Sequence, residues 1–334
     1  MKAKIVELPL AEPIYSTYHH QGATAALLYQ NPSLRNWYLN NIGDLQCNRQ
    51  FLYGLTTPEV SINKTDLGSN PYIEQIVYST KYISGCLHYI IHSLLDNGFY
   101  VYFYGPDDYY MPGKSWYRER HFCHNGLITG YDQTDKSYTV YAYDQRWVYR
   151  TFRIPQKAFT HAMKMGAKID PNGFLYGMKA KAETLQFSPM QAYKLIENYL
   201  DSDLEKYPPS VNDWVYGIVV HDYIAKYLQK LHDCSIPYER MDRRVFRVFW
   251  EHKKVMHERI QKMEEELGLA PVVSNAYVPL VVEANRLRML YASHRMKRRD
   301  ATLPIMAEKV MQLKEQEELL LRQLLENAGK ELHK

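Results

Sequence analysis

Only four cysteines, Cys47, Cys86, Cys123 and Cys234, occur in 334 residues, and no two of them form a CxxC pair. This argues against a zinc ribbon, a dithiol redox centre or a disulfide-built scaffold, and it fits a reducing compartment. Long apolar runs are missing as well. No stretch approaches the roughly 20 apolar residues of a membrane span, and Met1-Lys-Ala-Lys-Ile-Val carries no apolar signal run. A cytoplasmic protein that does not enter a membrane is the expectation. Charge of one sign is scarce: Lys and Arg exceed Asp and Glu by only four. So small and dispersed an excess does not imply nucleic acid as a partner. One short basic cluster, Arg295-Met-Lys-Arg-Arg299, reads as a solvated helix end, with contact to an anionic partner as the alternative. His19-His20 lacks a third ligand at metal-binding spacing, so no metal and no cofactor is expected.

What is present is a 46% hydrophobic chain with 30 tyrosines, concentrated between Tyr72 and Tyr149. Strand and core packing accounts for them by default. Residues 1–170 read as an α+β domain and residues 171–334 as a helical region packing on it. A helix starts in Gly22–Tyr29, and Tyr72–Asn97 is helical in pattern and stops at Gly98. Strands follow at Phe99–Tyr104, Trp116–Arg120, Phe122–Tyr131, Ser137–Tyr143 and Arg146–Ile154, then a helix at Gln156–Met165. Further helices are expected at Pro189–Leu200 with Ser188 as N-cap, Asn212–His232, Asp242–Leu267, Tyr277–Arg299 and Pro304–Lys330. The last has an apolar row at Met306, Val310, Leu313, Leu320, Leu324 and Leu325. That row suits docking on the same chain, with a homodimer seam as the alternative.

The segment His121-Phe-Cys-His-Asn-Gly-Leu-Ile-Thr-Gly-Tyr-Asp132, followed by Tyr138-Thr-Val-Tyr-Ala-Tyr-Asp144, carries the chemistry. It reads as a hairpin with a histidine near the start of one strand and an aspartate at the end of the other. A thiol acyl-transfer or protease centre needs a thiolate at a helix N-terminus, a histidine base and a carboxylate that fixes the imidazole. His124 is the candidate base and Asp144 the candidate orienter, 20 residues later. The plainer readings are a satisfied sheet histidine and an aspartate that starts the turn before Gln145. His121 is a competing histidine on the other face. Both triad-based readings require His124 and Asp144 to touch.

These residues resemble the papain-fold proteins of bacterial non-ribosomal peptide clusters. That group includes amide synthases of the closthioamide type, the butirosin acyltransferases and bacteriocin-processing cysteine peptidases. Leu94-Leu-Asp-Asn-Gly-Phe-Tyr-Val-Tyr102, Asp107-Asp-Tyr-Tyr110, Asp242-Arg-Arg244 and Glu251-His-Lys-Lys-Val-Met-His-Glu-Arg-Ile260 extend the likeness over residues 10–265 in blocks. The resemblance implies a papain-like core, an N-terminal helix packed on an antiparallel sheet. It further implies an acyl donor held as a thioester on an acyl or peptidyl carrier protein, and an amine acceptor.

The family's nucleophilic cysteine belongs at the start of the first helix, within Tyr18–Leu28, and there is none there. Gly22 or Ala23 stands at the aligned place. An engineered removal, a natural pseudoenzyme and a substitute residue are three accounts of this. Among substitutes, Thr24 lacks thiolate reactivity, Cys123 should point away from His124, Cys86 should face the core, and Cys47 is the best spare thiol. Arg243, Arg244, His252 and Lys253 suggest a basic helix face, solvated or docking an acidic carrier. Three functions follow: an amide synthase or acyltransferase, a non-catalytic binder of carrier protein or peptide, and a peptidase in which water replaces the amine. A cysteine placed at 23, then at 22, is expected to capture an acyl group from a thioester mimic, as detected by mass spectrometry. Failure of both in folded protein counts against acyl transfer.

Overall fold

A computed structural model describes residues 4–54, 56–62, 70–202, 214–297 and 301–332. Among these the strands are β1 (Ile5–Glu7), β2 (Leu45–Asn48), β3 (Val60–Ile62), β4 (Ile73–Ser79), β5 (Tyr100–Asp107), β6 (Cys123–Asp132), β7 (Ser137–Tyr143), β8 (Tyr149–Pro155), β9 (Phe174–Ala180) and β10 (Trp214–Tyr216). The helices are α1 (His19–Leu28), α2 (Pro32–Asn41), α3 (Thr80–Ile83), α4 (Leu87–Asp96), α5 (Gln156–Gly166), α6 (Pro189–Asp201), α7 (Val220–His232), α8 (Arg244–Glu266), α9 (Val272–Lys297) and α10 (Thr302–Leu332). The protein is mixed α and β, with an antiparallel sheet followed by a helical C-terminal region. No helix among the described residues is long and apolar enough to cross a membrane.

Two compact units interleave in sequence. The first is Met1–Arg35 with Asp66–Thr184, and the second is Asn36–Thr65 with Leu185–Lys334. The boundary expected at residue 170 therefore moves to 184, because β9 pairs into the first unit's sheet between β4 and β5. Residues 36–65 also change sides, since β2 pairs with β10 and β3 in a small sheet of the second unit.

The first unit is built on the antiparallel order β4-β9-β5-β6-β7-β8, with β1 alongside the end of β6. Alternation of bulky residues along β5, β6 and β7 drives this. Val101, Phe103, Ile128 and Val140 form a buried core with Ile91 and Leu95 of α4 and Phe159 and Ala162 of α5. α5 approaches β5 at backbone contact: a Cβ at Gly166 would fall inside the Gly105 carbonyl and 3.0 Å from the Asp107 amide nitrogen. The β5–β6 register shifts between Tyr104 and Asp107, where this contact falls. α1 lies against β6 and β9.

Two elements of the first unit differ from expectation. Tyr72–Asn97 is not one helix: its first part is β4, paired with β9 along its full length, before the chain turns into α3 and α4. The β-branched Ile73, Ile76 and Val77 favour the strand that the helical spacing concealed. Trp116–Arg120 is no strand but a chain of turns, with Tyr117 N donating to Lys114 O and Glu119 N to Trp116 O. Cys86, expected to face the core, is an exposed residue just before α4. In the second unit Ser188 caps α6 as expected, its Oγ accepting from Gln191 N at 3.3 Å. Asn212, Asp213, Arg298 and Arg299 lie outside the described residues. The expected helix from Asn212 gives way to β10 and a turn before α7 begins at Val220.

The five long helices of the second unit meet at one carboxylate. Glu317 of α10 is fully buried. Its Oε2 lies 2.5 Å from Lys253 Nζ of α8 and 3.3 Å from His221 Nε2 of α7, and accepts from the Tyr199 hydroxyl of α6 at 2.9 Å. Its Oε1 accepts from the Tyr277 hydroxyl of α9. Burial alone would raise the Glu317 pKa; the Lys253 ammonium, with help from His221, holds it well below the usual carboxylate range. The buried row of α10 is Leu303, Met306, Val310, Leu313, Glu317, Leu321, Leu324 and Ala328, so the expected row shifts after Leu313 to pass through the glutamate. This row is covered by α6, α7 and α9 of the same chain, so it is not open to form a homodimer seam.

The expected basic face of α8 is largely interior. Lys253 and His252 are buried, the latter with Nε2 at 2.9 Å from Gly43 O, and Arg244 is paired with Asp242. Fully buried Arg259 donates to the carbonyls of Tyr38, Leu39 and Ile42 at the end of α2. It thereby satisfies acceptors that a helix terminus leaves without partners.

Glu317→Leu should cost about 3–5 kcal/mol in urea unfolding, because it strands the Lys253 charge. Adding Lys253→Met should recover part of the loss. In the wild type the carboxylate's contribution should be full above the unfolded-state glutamate value, about 4.3. It should be lost as pH falls from there through the lower folded-state value.

Candidate active site

The site is built where β5 ends. Asp107 closes the strand with its carboxylate turned back on the chain. Its Oδ1 accepts from Tyr109 N at 3.1 Å and Phe122 N at 3.0 Å, and its Oδ2 lies 2.7 Å from His121 Nδ1. Asp108 N donates to Phe122 O at 3.0 Å. The 3-10 turn Asp108–Tyr110 is thus clamped to the segment that leads into β6.

Asp108 is completely buried. Its Oδ2 lies 3.0 Å from His124 Nδ1 and accepts from Ser115 Oγ at 3.3 Å, while its Oδ1 lies 3.4 Å from Lys114 Nζ. Lys114 is equally buried and donates to Asn125 O at 2.6 Å. A carboxylate facing Nδ1 selects the tautomer with the proton there and leaves the lone pair on Nε2. Burial lowers the His124 pKa and Lys114 adds to the effect, while the Asp108 carboxylate opposes both. His124 is therefore a neutral base at neutral pH, fixed in orientation, with 18% of its side chain exposed.

His19, the first residue of α1, packs its ring against that of His124. The centroids are 4.5 Å apart with the planes at 87°. Tyr143 and Tyr149 complete the surround at 5.1 and 5.3 Å. His19 is 5% exposed, and neither ring nitrogen has a hydrogen-bond partner among the described residues. Burial above all, then the electrostatic influence of His124, Lys114 and His20, holds its pKa well below the usual histidine value.

Asp144 does not orient His124. Leu127 pairs with Tyr141 in the β6–β7 ladder, and three residues further along each strand that register would set Asp144 opposite His124. The ladder stops first. β7 leaves β6, and Asp144 forms a backbone bridge with Lys114 instead. Its Oδ1 accepts from Arg146 N and Val148 N at 2.8 Å each, and its Oδ2 from Arg150 Nε at 2.6 Å. Asp144 is the turn-starting aspartate, and the triad in its His124–Asp144 form fails. It also lines a cavity of about 380 Å³ with Gly113, Arg146, Arg150 and Phe152.

The positions expected for a nucleophile, Gly22 and Ala23, are enclosed by packing. A Cβ at Gly22 would meet the Tyr149 ring at 2.9 Å, and Ala23 is buried. The α1 residue against His124 is His19, one helical turn earlier on the same face. The substitutes fare no better. Thr24 Oγ1 donates to His20 O, and Cys47 is fully buried in β2, where burial pushes its thiol pKa far up. Cys123 points away as expected, its Sγ 3.5 Å from Gly166 O. No group of three or more His, Cys, Asp or Glu among the described residues is placed to hold a metal ion. Sequence reasoning missed His19, Lys114 and Asp108 as partners of His124, although Asp108 sits inside the quoted Asp107-Asp-Tyr-Tyr110 motif.

The chain matches no protein-family model, and a comparison with curated proteins gives no significant match.

The two aspartates are separable by titrating the His124 ring by NMR. Asp108→Asn should lower its pKa further, since the carboxylate is the group that favours the imidazolium. Asp144→Asn should leave the His124 titration in place while destabilising the fold by about 1–3 kcal/mol through its lost hydrogen bonds.

Proposed function

We propose that the first unit is a papain-like acyl-transfer domain, acting on an acyl or peptidyl group carried as a thioester on a carrier protein, with an amine as acceptor. The observation that carries this reading is the His124 Nδ1 to Asp108 Oδ2 contact with the N-terminus of α1 set against the same imidazole. It replaces the Asp144-based triad expected from the sequence. A helix lying on an antiparallel sheet, and the family-like blocks around Asp107-Asp-Tyr-Tyr110 and His124, support it.

In this reading His124 Nε2 takes the proton of the attacking amine as it adds to the thioester carbonyl. Asp108 stabilises the imidazolium that forms. The proton then passes to the departing thiol. Lys114 supplies the counter-charge to Asp108, its Nζ 3.4 Å from Oδ1. Water in place of the amine would make the same centre a peptidase or thioesterase.

A second reading is favoured by a separate observation. No thiol stands in α1, and His19 occupies the place against His124 at only 5% exposure. On this basis the surface at His124 serves as a non-catalytic binding site for a carrier protein or peptide.

Aminolysis of an N-acetylcysteamine acyl thioester distinguishes them. On the acyl-transfer reading, His124→Ala should lower the rate about 10²–10⁴-fold. The acid limb of the wild-type profile should lie below the ordinary histidine value of 6.5, because burial depresses His124. Asp108→Asn should move that limb lower still. A wild-type protein that binds the thioester but turns it over no faster than His124→Ala would leave only the binding reading standing.

A further inference from the structure

The His19 imidazole is unaccounted for by the general-base step. It is a polar side chain more than nine-tenths buried, and neither of its nitrogens meets a partner among the described residues. Buried polar atoms are ordinarily paired, and leaving one bare costs about 1–3 kcal/mol. Two bare nitrogens on one ring are a cost that packing alone does not justify, since a phenyl or leucyl group would fill the same volume without it. Two neighbouring histidines contrast with this. His121 is held by Asp107, and His124 by Asp108.

Position adds a second argument. His19 opens the ten-residue helix α1, and its ring stands edge-to-face on His124 with centroids 4.5 Å apart. The helix start against a histidine base is where an acyl-transfer centre holds its nucleophile. No cysteine is placed for that role. Cys47 is sealed in β2 and Cys123 points at Gly166. An unprotonated imidazole nitrogen is itself a nucleophile for activated acyl groups, and the same burial that leaves His19 unpaired keeps it unprotonated.

We infer that His19 is a catalytic nucleophile that takes the acyl group as an acyl-imidazole, with His124 as its proton-transfer partner; the inference rests on the acyl-transfer reading above. One ring nitrogen of His19 adds to the thioester carbonyl carbon, the C–S bond breaks, and the sulfur leaves with the bonding pair. The proton on the other ring nitrogen passes through His124 to the departing thiolate. The amine then attacks the acyl carbon, and the C–N bond to His19 breaks. The amine's proton goes through His124 back to the imidazole. The sum is thioester plus amine giving amide plus thiol, with no oxidant, reductant or metal.

An acyl-imidazole lies above a thioester in energy, so it should be transient with that donor and accumulate with a more activated one. The test therefore uses p-nitrophenyl acetate with the full chain, followed by rapid quench and peptide mass mapping, alongside thioester aminolysis. The expected result is a burst of p-nitrophenol of up to one equivalent and an acetyl group on His19 that hydroxylamine removes. His19→Cys should carry the acetyl group as a longer-lived thioester from the same donor. His124-dependent aminolysis with no acetyl on wild-type His19 overturns the inference and leaves the acyl-transfer reading in place. An acetyl on the introduced thiol of the His19→Cys variant but none on wild-type His19 also overturns it, since the position is then reached but the imidazole does not accept. If neither adduct nor His124-dependent turnover is seen, both proposals fall.

Discussion

A carboxylate taken out of water must be paired on every side, and each unit of this protein is arranged around one such group. Isolated in a low-dielectric interior, Asp108 or Glu317 would be prohibitively unfavourable. Each is accompanied by an equally buried lysine, Lys114 and Lys253, and by a histidine. Such pairs add little net stability over apolar packing, but they tolerate few alternative arrangements. The gain is definition of geometry. In the first unit that definition falls on the His124 ring, in the second on the meeting point of five helices.

The difference between the two centres is access. Around Glu317 the hydroxyls, the ammonium and the imidazole are all interior. Around Asp108 the chain of contacts ends on an imidazole with part of its surface in solvent. A buried acid behind a partly exposed base is the arrangement that lets a proton be taken up and returned without moving the scaffold. The proposed acyl-transfer function draws on that asymmetry.

Much of the fold was legible because local rules and tertiary packing agree. The β6–β7 hairpin, α5 and the capped α6 follow from alternation, helical spacing and Ser188. β4 was hidden because Ile73, Ile76 and Tyr78 fit a helical spacing as well as a strand, and only pairing with β9 decides. The site was half legible. His124 was readable from its strand, and Asp144 was matched to it by the spacing across the hairpin. What a sequence does not display is that β7 departs from β6 and that Lys114 takes Asp144's backbone, which brings the preceding turn with Asp108 to the imidazole. The α1 residue that meets His124 is His19, one helical turn before the Gly22 or Ala23 expected there. Glu317 escaped notice for a different reason: within a run rich in Glu and Lys, the single acid in the buried row carries no local mark.

The arrangement about Glu317 bears on how the chain emerges during synthesis. α6, α7, α8 and α9 are all made before α10, yet none of them carries the counter-charge for Lys253. Without α10, closing the other four helices would bury an ammonium with no carboxylate beside it. Arrival of one glutamate then lets all five close together. The packing of four helices around Lys253 is therefore conditional on one residue of a helix that follows them in the chain.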